Sequence, residues 1–136
     1  MKMTRDILQA VLHEAITAGL TAREAETQIL LQKAQEAGRQ DEDLCGWSWL
    51  DIDAEGYQQL KQLSTGNASP HYHPFEWLAI PGGEIQFDPE QPFSYRLYLK
   101  EVSRYQRIYA SLAGLKAAAD VLATYGIKAD QHGYLD

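Results

Sequence analysis

Residues 69–87 read SPHYHPFEWLAIPGGEIQF, and the centre of this stretch decides the fold. Phe75 to Ile80 and Glu84 to Phe87 are two short β-favouring runs separated by Pro81-Gly82-Gly83. Glycine reaches positive φ at no steric cost, as tight hairpin turns require. The stretch therefore predicts a β-hairpin over about 75–87, the seed of a small antiparallel sheet. Pro70 and Pro74 frame His71 and His73 in an extended lead-in, and Tyr72, Phe75 and Trp77 supply core or interface surface.

Upstream, STGNASP (64–70) is a loop by composition. LCGWSWLDID (44–53) places Trp47 and Trp49 on one strand face. Asp53 is positioned to cap a short helix through Tyr57, Leu60 and Leu63. Thr4 caps a first helix carrying Ile7, Leu8, Val11, Leu12, Ala15 and Ile16, and Gly19 is expected to end it. Thr21-Ala-Arg-Glu24 reads as a capping box opening a second helix that stops at Gly38. Residues 1–38 are thus expected to form a helical hairpin, followed by a polar connector at 39–44.

Downstream, prolines punctuate 88–92. PFSYRLYL then alternates well enough for a third strand but also suits the start of a helix. A long helix is expected over 100–125, with Val102, Tyr105, Ile108, Tyr109, Leu112, Leu115, Ala119 and Leu122 on one face and Gly126 as its stop. Residues 126–136 read as a partly ordered tail. The expected fold class is α+β in a single domain: helical hairpin (1–38), acidic linker and small sheet (39–99), long helix (100–125) and tail.

Composition narrows the function classes. The chain has 136 residues and 45% hydrophobic content, enough for a core without metal or disulfide staples. It has no apolar run of membrane-spanning length, and its charged N-terminus does not read as a signal peptide. A single cysteine, Cys45, rules out an intramolecular disulfide and fits the reducing cytoplasm. The net charge of −7 disfavours nucleic acid, whose phosphates need clustered Lys and Arg.

Three chemical readings compete. His71 and His73 share a strand face, and with Glu76 they offer two imidazoles and a carboxylate to a divalent metal. Gly66, His71-Tyr-His73, Glu76 and Gly83 resemble the first motif of the cupin family, with both spacings on the histidine side one residue short. The resemblance spans 18 residues; the second histidine motif and further strands it implies have no counterpart after residue 100. A small metal-dependent enzyme using His71, His73 and Glu76 is one alternative function. A DNA-binding regulator using the helical hairpin is another, although the second helix balances Arg23, Lys33 and Arg39 with Glu24, Glu26 and Glu36. Cys45 with a downstream histidine makes a thiolate pair on paper, without a supporting local signature. Phosphate-loop, dinucleotide and nucleophile-elbow motifs are absent.

Charge is unevenly distributed. Asp41, Glu42, Asp43, Asp51, Asp53 and Glu55 fall within 41–56 with no base, whereas 93–125 is net basic through Arg96, Lys100, Arg104, Arg107 and Lys116. On a helix, Arg96, Lys100, Arg104 and Arg107 would form a stripe interleaved with Tyr98 and Tyr105. Arg and Tyr are enriched at binding hot spots. The leading expectation is a small acidic, non-enzymatic protein-binding module of the immunity, antitoxin or phage and plasmid anti-defence kind. It would occupy a partner's basic surface through the six acids, Tyr98, Arg104, Tyr105 and Arg107, without a cofactor and with homodimerisation possible in the same scheme.

Overall fold

The computed structural model describes residues 3–40, 43–67, 75–88, 90–104 and 106–135. The chain runs α1 (Arg5–Glu36), β1 (Gly46–Ile52), α2 (Ala54–Leu60) with a single 3-10 turn (Lys61–Leu63), β2 (Gly66–Asn67), β3 (Glu76–Ile80), β4 (Gly83–Asp88), β5 (Gln91–Leu99), α3 (Ile108–Thr124) and β6 (Ala129–Leu135). The strands form one antiparallel sheet in the order β2-β3-β4-β5-β1-β6. This is an α+β fold. No described helix is long and apolar enough to cross a membrane.

The 75–87 hairpin forms as expected: Glu76 to Ile80 pair with Phe87 to Gly83 around Pro81-Gly82, and Gly82 supplies φ +78°. Residues 93–99, open between two readings in the sequence, belong to β5. Alternation along it sends Tyr95, Leu97 and Leu99 into the core and leaves Ser94, Arg96 and Tyr98 on the other side. Leu50, Ile52, Ile85, Leu97 and Leu99 meet Leu8, Val11 and Leu12 of α1 and Leu115, Ala118 and Leu122 of α3 in one buried cluster. Tyr57 of α2 extends it by stacking on Tyr95, with centroids 4.4 Å apart at 15°.

The helical hairpin does not form: α1 is one continuous helix of 32 residues. Gly19 is a packing glycine. A Cβ there would lie 3.0 Å from Val102 Cγ2 and 3.1 Å from the Gly114 carbonyl oxygen. On the opposing helix, a Cβ at Gly114 would lie 2.7 Å from the Gly19 carbonyl oxygen. The two glycines let α1 and α3 cross closely with Val102 wedged at the crossing. Thr21, read as a cap, instead donates its hydroxyl to the Thr17 carbonyl, and Glu24 accepts from Gln28. The helix ends at Gly38, where Arg39 N donates to Ala34 O and Gly38 N to Gln35 O, the paired bonds of a Schellman stop.

The long helix is shorter than expected and starts at Ile108. Residues 100–104 turn away from β5, with Val102 N and Ser103 N both donating to Leu99 O. Arg107 enters α3 in the left-handed region, at φ +64°, and gives no side-chain cap. The cap comes from Asp43, whose carboxylate accepts from Tyr109 N at 2.9 Å and Ala110 N at 3.3 Å. The supposed tail is β6, paired with β1 from Gly46↔Leu135 to Ile52↔Ala129.

Candidate ligand-binding groove

The helices cover one face of the sheet. The strand residues that alternate with the core build the other. From β1 come Trp47, Trp49 and Asp51, from β5 Arg96 and Tyr98, from β4 Glu84 and Gln86, from β3 Trp77, and from β6 His132 and Tyr134. Register brings them together: Trp47 faces Tyr134, Trp49 faces His132, Gln86 faces Arg96 and Trp77, and Glu84 faces Tyr98. Between them lies an open groove of about 740 Å³, lined by Trp47, Phe75, Trp77, Tyr98 and Tyr134 with Glu84, Gln86, Arg96, Lys100 and Ser103.

Trp49 is the floor beside the groove. It is 4% exposed, although no described helix covers this face. The Arg96 guanidinium lies 4.1 Å from its ring centroid, and His132, Tyr134 and Tyr98 pack at 5.2, 5.8 and 6.1 Å. Its indole N–H donates to Asp51 Oδ1 at 2.9 Å, and Asp51 Oδ2 lies 3.6 Å from His132 Nδ1. Tyr98 bridges to Trp77 at 5.6 Å and donates its hydroxyl to Gln86 Oε1 at 3.2 Å. Burial pushes the Tyr98 phenol above its ordinary pKa, partly opposed by a hydrogen bond with Arg96, so at neutral pH it remains a donor. Above this ordered layer Trp47 and Tyr134 stand side by side, 48% and 53% exposed. Two adjacent, half-exposed aromatics over a rigid base are a surface ready to be covered.

Charge is arranged with a direction. Glu84 is 14% exposed and holds Lys100 at 3.0 Å, while the Lys100 side chain is 62% exposed. Asp51 is turned to Trp49 and His132. Glu84 and Asp51 are thus engaged within this face, Asp130 stands exposed on it opposite Asp51, and Lys100 and Arg96 stand at the groove.

The residues singled out from sequence scatter. Asp43 caps α3, and Asp53 caps α2 through its bond from Gly56 N at 2.8 Å. β1 lies between these two acids, Asp43 before its first residue and Asp53 after its last. Glu55 is exposed in the first turn of α2. Among the described members of that set, Asp51 and Tyr98 reach the groove's face. Arg104 pairs with Glu101 at 3.0 Å, and Arg107 precedes α3. The expected basic stripe is therefore not a helical row: Arg96 is on β5, and Lys100, Arg104 and Arg107 follow it before α3 begins. Arg104 and Arg107 instead lie near Arg23 of α1, whose pKa is lowered by burial and then by these two neighbours. Asp41, Glu42 and Tyr105 lie outside the described residues.

His71 and His73 also lie outside them. Glu76 is exposed on β3, opposite Phe87 and on the face away from the groove. Among the described residues, no three His, Cys, Asp or Glu side chains gather as metal ligands. Cys45 is exposed just before β1. Comparison of the chain with protein-family models, curated proteins and solved structures gave no match.

Sequence reasoning missed Phe75, Trp77, Glu84, Gln86, Arg96, Lys100 and Tyr134 as one site. A signal existed. Trp47 and Trp49 on one strand face, and Trp77 between core-type neighbours on another, put bulky aromatics on the side opposite the aliphatic positions. A sheet face rich in large exposed side chains, opposite the face its helices cover, is a candidate interaction surface.

Proposed function

We propose that this chain is a non-enzymatic protein-binding module that acts by laying the helix-free face of its sheet on a partner, as an inhibitor or accessory factor does. One observation carries the reading: Trp47, Trp77, Tyr98, Tyr134 and Arg96 converge on a single groove bordered by Lys100, Glu84, Gln86 and Ser103. Trp, Tyr and Arg dominate binding hot spots, and a polar border that excludes water around them is the usual anatomy of such interfaces. The ordered layer beneath supports it further, since Trp49, Arg96 and Asp51 hold the face rigid before contact and lower the entropy cost of binding.

The test is affinity capture from lysates with three baits: wild type, Trp47→Ala/Tyr134→Ala on the groove, and Leu20→Ala/Ile29→Ala on exposed positions of α1. A partner held by wild type and the α1 variant but lost by the groove variant is the expected result. A partner kept by the groove variant and lost by the α1 variant would move the interface to the helices and refute the reading.

A further inference from the structure

The lining of the groove departs from the acidic balance of the chain, with Arg96 and Lys100 against Glu84. The chain carries net −7, yet the most exposed charge in the groove is the Lys100 ammonium, and its neighbour Glu84 is largely covered. An ammonium has three donors, and Glu84 at 3.0 Å engages it from one side. Arg96 is placed by two neighbours: its guanidinium carbon lies 4.1 Å from the Trp49 ring centroid, and its N–H donors, five in all, include one that bonds Tyr98. Asp51, the acid opposite Arg96 in register, is turned to Trp49 and His132.

We propose that the groove takes an extended acidic segment of a protein partner. A carboxylate side chain meets Lys100 and Arg96, and an adjacent proline or aromatic ring lies against Trp47 and Tyr134. This rests on the binding-module reading above and reverses the sign of partner expected from composition: of the acids behind that expectation, Asp43 and Asp53 cap helices and Asp51 is turned to Trp49 and His132. Charge complementarity selects the occupant: two cations separated by aromatic surface match isolated carboxylates spaced along a peptide. A polyphosphate chain matches less well, since Asp130 shares this face and the net charge of the chain repels a polyanion over its length.

The experiment is selection of a random displayed-peptide library on wild type, Lys100→Gln, Lys100→Glu and Trp47→Ala/Tyr134→Ala, each first shown folded by circular dichroism. Selected peptides are then titrated at low and high salt, beside a 15-nucleotide oligo-dT. Wild type is expected to enrich Asp or Glu next to Pro, Tyr or Trp. Affinity should fall about tenfold in Lys100→Gln, the loss of one charge-assisted contact, and weaken with salt. Lys100→Glu should enrich Lys or Arg instead. Neutral or basic peptides selected by wild type and lost in Trp47→Ala/Tyr134→Ala would overturn the charge assignment while leaving the binding groove in place. Equal selection by wild type and Trp47→Ala/Tyr134→Ala would overturn the groove itself. Oligo-dT binding that Lys100→Gln abolishes would overturn the protein partner in favour of single-stranded nucleic acid.

Discussion

Replacing Gly114 with alanine tests the helix crossing directly. In an exposed helix the change would stabilise by about 1 kcal/mol, because glycine is the poorer helix former. Here the new Cβ would lie 2.7 Å from the Gly19 carbonyl oxygen, 2.8 Å from Val102 Cγ1 and 3.1 Å from Arg23 Cβ. The first of these is backbone and yields only if α1 and α3 separate. Overpacking of this kind costs about 1–3 kcal/mol, and forced separation of two helices belongs at the upper end. The net expectation is a loss of about 1–2 kcal/mol. For a chain of this size that is a fall of about 4–8 °C in melting temperature. Gly19→Ala should cost less, since its nearest contact is a Val102 methyl at 3.0 Å. Adding Val102→Ala should then offset more of the Gly19→Ala loss than of the Gly114→Ala loss. Urea unfolding followed by circular dichroism measures all of these. A Gly114→Ala protein as stable as wild type, or more so, would refute the close crossing.

Asp43→Ala should cost about 1 kcal/mol by uncapping α3, and Asp43→Asn less, because the amide oxygen can still accept from Tyr109 N although the amide nitrogen cannot accept from Ala110 N; urea denaturation distinguishes them. Burial raises the phenol pKa of both Tyr57 and Tyr98 in the folded state. The folded protein then keeps protons that the unfolded chain releases, so stability is retained below about pH 10 and declines as pH rises above it. Urea midpoints measured from pH 8 to pH 11 should show that decline, and Tyr57→Phe should make it shallower. Trp47 is half exposed and Trp49 almost wholly covered. Trp47→Phe should therefore remove more acrylamide-quenchable emission than Trp49→Phe does.

What sequence made legible were the local devices. Pro81-Gly82 turning a hairpin, Asp53 capping α2, Thr4 opening α1 and Gly38 closing it each act within a few residues. What it concealed depended on distant partners. Gly19 has the same composition cue as a helix stop, and only Val102 and Gly114 decide that it is a contact. The start of α3 was hidden because its cap, Asp43, lies on a segment from the other half of the chain. β6 was hidden because Asp130, Gln131, His132 and Gly133 have little strand preference of their own; β1 supplies the pairing. The groove followed from the same ambiguity: once 93–99 is a strand, Arg96 and Tyr98 leave a helical stripe and join Trp49 and Trp77.

The order of the sheet also sets an order of assembly. Strands β2 to β5 neighbour one another in both sequence and space, so that meander closes short loops and can organise as soon as it is synthesised. β1 precedes it in the chain, but its two neighbours are β5 and β6. It must wait for residues 91–99 and then for 129–135 before its two edges are satisfied. Contacts between segments far apart in sequence pay a larger closure entropy and form late. Trp47 and Trp49 are therefore among the early residues to emerge from a ribosome and among the last to be housed. During that interval β1 has two open edges, the condition under which a strand can pair with other chains.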